Sequence, residues 1–223
     1  NIDQIKERIE YLKINKIKNI CIDTEGAQIR TTHTKKKFFI KKNSTVEISN
    51  KNRFSNDRMI YLYPYIDLNN LKIGTKIDIG FNSLSIQVIK KKLNDNLLCK
   101  VVKAGYLESK KGVHVHSKIN LPCLTEKDKY ALNLARKFNI KYYAISFVNN
   151  HKDLEEVKKI TGSSAFIISK IETENAIINL DKITKNSNAL LIDRGDLSRY
   201  VSIEKIPMAQ ENIIKKSKKL NTP

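Results

Sequence analysis

The sequence predicts an α/β protein in which short apolar strands alternate with amphipathic helices, interrupted once by a stretch of all-β character. Three observations carry that prediction. Apolar residues recur at helical spacing near the start and through the last part of the 223-residue chain. Short apolar runs separate those helices and end in polar or charged residues, as buried parallel strands do. Between about 32 and 118 the helical period vanishes and a two-residue alternation replaces it. Four βα units are half of an eight-fold barrel. The expected architecture is therefore a partial (β/α)8 TIM-type barrel formed by 1–31 and 119–223, with a small antiparallel β-domain inserted at 32–118. Its strands should lie parallel in sequence order with helices outside. The first and last strands should lack neighbours, and the inward-facing residues should be exposed. A piece of this kind should be aggregation-prone, oligomeric or marginally stable.

Each element has its own signal. Ile2, Ile5, Ile9 and Leu12 place a helix over about 2–14. Asn19-Ile-Cys-Ile-Asp23-Thr24 reads as a short buried strand, with Gly26 as the turn after it. In the insertion, Val46 and Ile48, then Ile77 and Ile79, then Leu84, Ile86 and Val88 alternate with polar residues, separated by Asn- and Gly-bearing turns. Thr125-Glu-Lys-Asp128 has the form of a capping box and opens a helix with Ala131, Leu134, Ala135 and Phe138 on one face. Residues 141–147 form the next strand. Leu154, Val157 and Ile160 mark a helix over about 152–160. Ile177, Leu180 and Ile183 mark another, and Pro207 opens the last as its first residue.

The totals narrow the function. At 40% hydrophobic and 29% charged residues, the composition is that of a globular protein, and no apolar run approaches a membrane span of about 20 residues. The opening residues are not a signal peptide, and the missing initiator Met suggests a piece of a longer chain. The formal charge of +19 invites a nucleic-acid partner. The lysines, however, are spread along the chain with abundant Ile and Asn, so the charge reads as composition. Cys21, Cys99 and Cys123 have no metal-ligand spacing and read as buried free thiols of a cytoplasmic protein.

The chemistry sits at the ends of two strands. Ala165-Phe-Ile-Ile-Ser-Lys170-Ile-Glu172 and Ala189-Leu-Leu-Ile-Asp-Arg-Gly195-Asp196-Leu both begin apolar and end in charge. Side chains alternate along a strand, so Lys170 and Glu172 face the same side. Gly195 frees the backbone for a tight turn and Asp196 lies at the neighbouring strand's exit. Two carboxylates and a lysine at adjacent strand ends can hold a divalent metal and a phosphate. The same groups can also form a structural ion pair closing a barrel mouth, and spacing alone leaves both readings open.

An ordered set of motifs resembles one family. Ile22-Asp23-Thr24-Glu25-Gly26-Ala-Gln28-Ile29-Arg30-Thr31 is similar to the Asp-Thr-Lys-Gly-Pro-Glu-Ile-Arg-Thr signature of pyruvate kinases. Leu107-Glu-Ser109-Lys-Lys-Gly112-Val113 resembles the exit from that family's mobile B domain, and Leu121-Pro122 through Asp128 its return to the barrel. Ser146-Phe147-Val148, Lys170-Ile171-Glu172 and Arg194-Gly195-Asp196-Leu197 follow in family order. The resemblance implies transfer of a phosphoryl group from phosphoenolpyruvate to ADP, giving pyruvate and ATP. It also implies Mg²⁺ or Mn²⁺, with K⁺ as a second cation, and a homo-oligomer for the complete chain.

Carried across residue by residue, the resemblance makes Lys170 the catalytic cation that neutralises the phosphoryl group. Glu172 and Asp196 would hold the divalent metal, and Asp23 and Thr24 would line the monovalent-cation site. The backbone at Gly195 and Asp196 would take the substrate carboxylate at a helix N-terminus, and Arg30 would lie near the phosphates. Several positions depart from the pattern. Glu25 replaces Lys. Gln28 replaces Glu, which argues against K⁺ dependence. Asn149 replaces Arg, and the lid's Asp-Asp-Gly is set against Gly80-Phe81-Asn82. The altered lid leaves an alternative: a Mg²⁺-dependent lyase or aldolase acting through a pyruvate enolate. An inactive family fragment and a non-enzymatic basic binding module are the other readings. His114-x-His116 lacks a third ligand for a metal and reads as a strand leaving the insertion. His33 and His151 read as surface residues. Tyr61, Tyr63 and Tyr65 near Arg58 read as core or surface of the insertion rather than a stacking face for nucleic acid.

Overall fold

A computed structural model describes residues 2–80, 83–93, 95–119 and 121–223. Phe81 and Asn82, on which the lid alignment rests, and Asn94 of one expected turn lie outside the described residues. The chain divides into two compact units, one of Asn1–Ala27 with Pro122–Pro223 and one of Gln28–Leu121. The second starts four residues before the expected insertion and ends three after it.

The first unit opens with helix α1 (Ile2–Ile14) and strand β1 (Cys21–Asp23). In the second unit, strands β2 (Arg30–Thr31), β3 (Phe38–Ile40), β4 (Thr45–Ser49) and β5 (Met59–Tyr63) precede a 3₁₀ turn at Leu68–Asn70. Strands β6 (Lys76–Ile79), β7 (Leu84–Lys91), β8 (Leu97–Lys103), β9 (Gly105–Leu107) and β10 (Val113–Val115) follow. These build a seven-stranded sheet in the order β10-β6-β7-β8-β4-β5-β2 and a β3-β9 ribbon. Ile48, Ile60, Ile77, Ile86, Leu97 and Val101 are wholly buried in its core. The sheet is not purely antiparallel as expected, because β4 and β5 pair parallel. Asn50–Arg58 loops back between them instead of closing a hairpin.

The first unit resumes with helix α2 (Glu126–Lys137), strand β11 (Tyr142–Ile145), helix α3 (His151–Thr161) and strand β12 (Phe166–Ile171). Helices α4 (Glu174–Ile178) and α5 (Leu180–Asn186), strand β13 (Ala189–Ile192), the short helix α6 (Arg194–Leu197) and helix α7 (Ile206–Lys219) complete it. The helix expected around Ile177–Ile183 is two helices meeting at Asn179, and α7 begins one residue before Pro207. The sheet runs β1-β11-β12-β13, all parallel and in sequence order. The Leu190 N–H donates to the Pro223 carbonyl at 2.7 Å, so the last residue lies against β13.

The two faces of this sheet differ. Tyr143, Ile145, Ile167 and Ile171 are buried under helices and join a core with Ile9, Leu132, Leu154, Val157, Ile183 and Ile213. On the opposite face the register sets Cys21 beside Tyr142 and Phe166, Asp23 beside Ala144, Ile168 and Ala189, and Lys170 beside Leu191. Tyr142 and Leu191 are each 40% exposed, and Cys21 is exposed. Two expectations are corrected here. β12 and β13 are not buried on both faces, and β1 is not the buried strand expected, because helices cover only one face of the sheet. Cys21 is not a buried thiol, whereas Cys99 and Cys123 are. The pattern of an exposed uncovered face agrees with the half-barrel expectation.

Candidate active site

The site lies beyond the C-terminal ends of β1, β11, β12 and β13. Lys170 is the last inward-facing residue of β12. Its ammonium lies 3.1 Å from Glu172 Oε1, 3.5 Å from Asp23 Oδ1 and 4.0 Å from Asp193 Oδ2. It also donates to Ser146 Oγ at 3.0 Å. Glu172 follows directly after the strand and its side chain is wholly buried. Its Oε2 accepts the Phe147 N–H at 2.6 Å. Its Oε1 is sealed from solvent and accepts no hydrogen bond of good geometry, leaving the Lys170 ammonium as its charge partner.

The loop after β11 is bent to serve this carboxylate. Phe147 adopts φ +54, a left-handed conformation that is costly for a bulky side chain. That bend turns its N–H onto Glu172. Gly26 packs against the same loop at φ +69, where an added Cβ would meet the Phe147 ring at 2.6 Å. Thr24 is buried and accepts the Ser146 N–H at 2.9 Å, while Ser146 Oγ donates to the Thr24 carbonyl at 2.7 Å. Asp128, the acid of the capping box, does more than cap α2. It accepts from the N–H groups of Glu25 at 2.8 Å and Gly26 at 3.1 Å, and from the Thr125 hydroxyl at 2.7 Å. A single buried carboxylate thus fastens the segment after β1 to the start of α2.

Asp196 and Asp193 arrive on α6. Asp193 caps that helix, accepting the Asp196 N–H through Oδ1 at 3.1 Å. Arg199 Nε lies 3.2 Å from Asp196 Oδ1. One oxygen each from Glu172, Asp193 and Asp196 lies within 4.8 Å of the others, close enough that small side-chain shifts could bring them onto a single metal ion. Gly195, expected in a tight turn at a helix start, lies in the single turn of α6 without a positive φ. A Cβ there would approach Asp193 Oδ1 at 3.3 Å, so glycine leaves room for the capping carboxylate. The expected carboxylate-receiving backbone is also altered, because Asp193 already accepts the Asp196 N–H.

Protonation follows from burial and these contacts. Burial pushes the Glu172 carboxyl up, the Phe147 N–H and Lys170 pull it down, and Asp196 adds to the rise; the balance is upward. Burial works to lower the Lys170 ammonium, but Glu172, Asp23 and Asp193 outweigh it and hold it above its usual value. Lys170 is therefore a firm cation at neutral pH.

Lys170, Glu172, Asp196 and Asp23 come together, with Thr24 behind them holding Ser146. Gln28 and Arg30 belong to the other unit, where Arg30 donates to the Lys110 carbonyl at 3.2 Å. Arg194 is exposed and lines a groove with Pro207, Gln210 and Glu211 of α7. Asn149 ties down the loop after β11, accepting the Thr173 hydroxyl at 2.9 Å. Sequence reasoning missed Asp193, Ser146 and Phe147 as parts of the site. An Asp three residues before another Asp at a strand-to-helix junction is a capping signal that could have exposed Asp193.

A parallel sheet with outer helices, carrying its charged side chains beyond the C-terminal strand ends, defines a protein of the β/α-barrel class. The family model for the pyruvate kinase barrel domain matches residues 1–223, and the chain belongs to the pyruvate kinase family. It is 31% identical to the pyruvate kinase of Borreliella burgdorferi, over 99% of this chain and 47% of that protein. It is 32% identical to that of Clostridium acetobutylicum, over 95% of this chain and 46% of the relative. It is likewise 32% identical to that of Geobacillus stearothermophilus, over 92% and 36%. The chain spans less than half the length of these relatives.

Proposed function

We propose that this chain carries the metal and phosphoryl end of a site that transfers a phosphoryl group from phosphoenolpyruvate to ADP, giving pyruvate and ATP. The observation that carries the proposal is the Lys170–Glu172 pair. A held ammonium lies against a wholly buried carboxylate whose Oε1 lacks a hydrogen bond. A sealed, under-satisfied carboxylate oxygen beside two further carboxylates is suited to a divalent cation. Glu172 and Asp196 would hold Mg²⁺ or Mn²⁺. When bound, that ion would neutralise developing charge on the phosphoryl oxygens.

The chain's own residues do the rest. Lys170, fixed by Ser146 and Glu172, presents a point charge to the phosphoryl group in flight. The strained Phe147 peptide keeps Glu172 from turning away. Asp23 and Thr24 are assigned to a monovalent-cation site and Arg30 to the phosphates; Gln28 is the reason to doubt K⁺. The unit at Gln28–Leu121 is read as the lid domain. A cytoplasmic, homo-oligomeric protein completes the proposal. Among the described residues no helix is long and apolar enough to cross a membrane.

Binding and a pair of variants test the proposal. Titration calorimetry of the 223-residue chain should show phosphoenolpyruvate binding that requires Mg²⁺. Lys170→Met removes the cation and keeps the carboxylates, so metal should still bind. Phosphoenolpyruvate affinity should fall by roughly 10–100-fold, the scale of a lost charge-assisted contact of about 1.5–3 kcal/mol. Glu172→Gln keeps the shape and should abolish metal binding. Phosphoenolpyruvate binding that ignores both Mg²⁺ and Lys170, or pyruvate release without ADP in a coupled assay, would overturn it.

A further inference from the structure

We propose that Asp193 is a third protein ligand of the divalent-metal site, so that the ion is held by three carboxylates rather than by Glu172 and Asp196 alone. This rests on the proposed metal role of Glu172 and Asp196 and extends it to a residue outside the motifs that suggested them. The first support is position: Asp193 offers an oxygen within 4.8 Å of those of Glu172 and Asp196. The second is division of labour within its own carboxylate. Oδ1 accepts the Asp196 N–H at 3.1 Å, while Oδ2 lies 4.0 Å from the Lys170 ammonium, beyond hydrogen-bond distance. The third is the buried Glu172 Oε1, which is sealed from solvent, accepts no hydrogen bond of good geometry and has the Lys170 ammonium at 3.1 Å as its charge partner, leaving it room for a second cation.

Charge balance points the same way. Asp23, Glu172, Asp193 and Asp196 carry four negative charges into this cluster. The Lys170 ammonium lies against Asp23, Glu172 and Asp193, and Arg199 against Asp196, so four carboxylates meet at these two cations. A divalent ion would offset part of that negative charge. Three carboxylates are also more than the one or two that Mg²⁺ usually takes alongside its waters and substrate oxygens. Such a set should therefore hold a cation firmly before any substrate arrives, and Mn²⁺, which accepts carboxylate ligands as Mg²⁺ does, is a suitable probe of it.

The test is Mn²⁺ binding to the whole 223-residue chain without substrate, read by the fall in the free-Mn²⁺ EPR signal. Asp193→Asn keeps an oxygen to accept the Asp196 N–H and removes the charge. It should weaken Mn²⁺ binding by roughly tenfold or more, the scale seen when groups supporting a metal site are lost. Thermal unfolding should stay near that of the parent. Asp193→Ser, which also caps, should give the same loss. Asp23→Asn removes an equal charge from the other side of Lys170 and should cost distinctly less. Equal losses at Asp23 and Asp193 would assign the effect to the general field and overturn the ligand role. Wild-type Mn²⁺ binding abolished by Glu172→Gln but untouched by Asp193→Asn would overturn this inference alone. No Mn²⁺ binding by the wild type would overturn both it and the metal site beneath it.

Discussion

Asp78 shows how one buried carboxylate can organise a strand pair. It lies on β6, almost wholly buried, and accepts from the Ser85 hydroxyl of the neighbouring strand β7. His116 Nε2, just beyond β10, is 2.6 Å from its other oxygen, and the Lys76 ammonium is 3.3 Å away. Burial works to raise this carboxyl, but the bonds from Ser85, His116 and Lys76 together outweigh it and hold it below the usual 3.8. A folded-state value below the unfolded one means the folded chain resists protonation. The stabilisation is therefore complete above about pH 4 and is lost as pH falls through the folded value. Asp78→Asn removes that dependence. Urea unfolding followed by circular dichroism should show the variant less stable than the parent at pH 6, with the gap closing at pH 3. A gap of the same size at both pH values would mean that the carboxylate's charge contributes nothing. His114, on β10, meets His116 edge-on at 4.5 Å between ring centres.

At the scale of elements, alternation and helical period located the strands and helices, because both follow from burial on one side. The Thr125–Asp128 capping box is present as read. The run Lys170-Ile171-Glu172 also holds, since a two-residue step on a strand fixes which side chains meet. Sequence did not reveal burial that depends on partners elsewhere in a sheet. The apolar look of Cys21-Ile22 and Leu190-Leu191-Ile192 suggested buried strands, yet helices cover one face only. Nor did it reveal the left-handed Phe147, which only the opposing Glu172 and Gly26 explain. The uneven sheet makes a direct prediction for the thiols. Cys21 lies on the uncovered face, its thiol pushed up by partial burial, by an amount that still leaves it accessible. Cys99 is buried and pushed up to about 12, and burial pushes Cys123 well up. Native chain treated with excess maleimide at pH 8 should take one label, at Cys21, within minutes. The other two should react only in denaturant. Labelling of Cys99 or Cys123 at a comparable rate in native buffer would show that its core opens readily.

For the whole molecule, the two units draw on separate hydrophobic cores with different completeness. The Gln28–Leu121 unit surrounds its core with a seven-stranded sheet and the β3-β9 ribbon, and Leu84, Leu107, Ile77 and Ile79 are fully enclosed. It also carries most of the charge: nineteen Lys and Arg against six Asp and Glu, so +13 of the formal +19. Dispersed surface lysines of this kind repel one another weakly at physiological salt, where screening acts over about 8 Å, so the core decides stability. The other unit packs helices on one face of β1-β11-β12-β13 and leaves Tyr142, Leu191 and Phe166 on a face that nothing in its own core covers. Burial of apolar area stabilises by about 25 cal/mol per Å², so a sheet covered on one side forgoes much of what its own residues could contribute. Opening free energies should therefore differ between the units. Native-state hydrogen exchange in low urea should find the amides of β11 and β12 exchanging first. Those of β7 and β8 should stay protected to higher urea. Limited proteolysis should likewise leave a resistant core within Gln28–Leu121. Protection that is lost together across both units, or that survives longest in β12, would show that the half-covered sheet is as stable as the closed one. Its open face would then have to be buried by contacts between copies of the chain, which light scattering at the same concentration would detect.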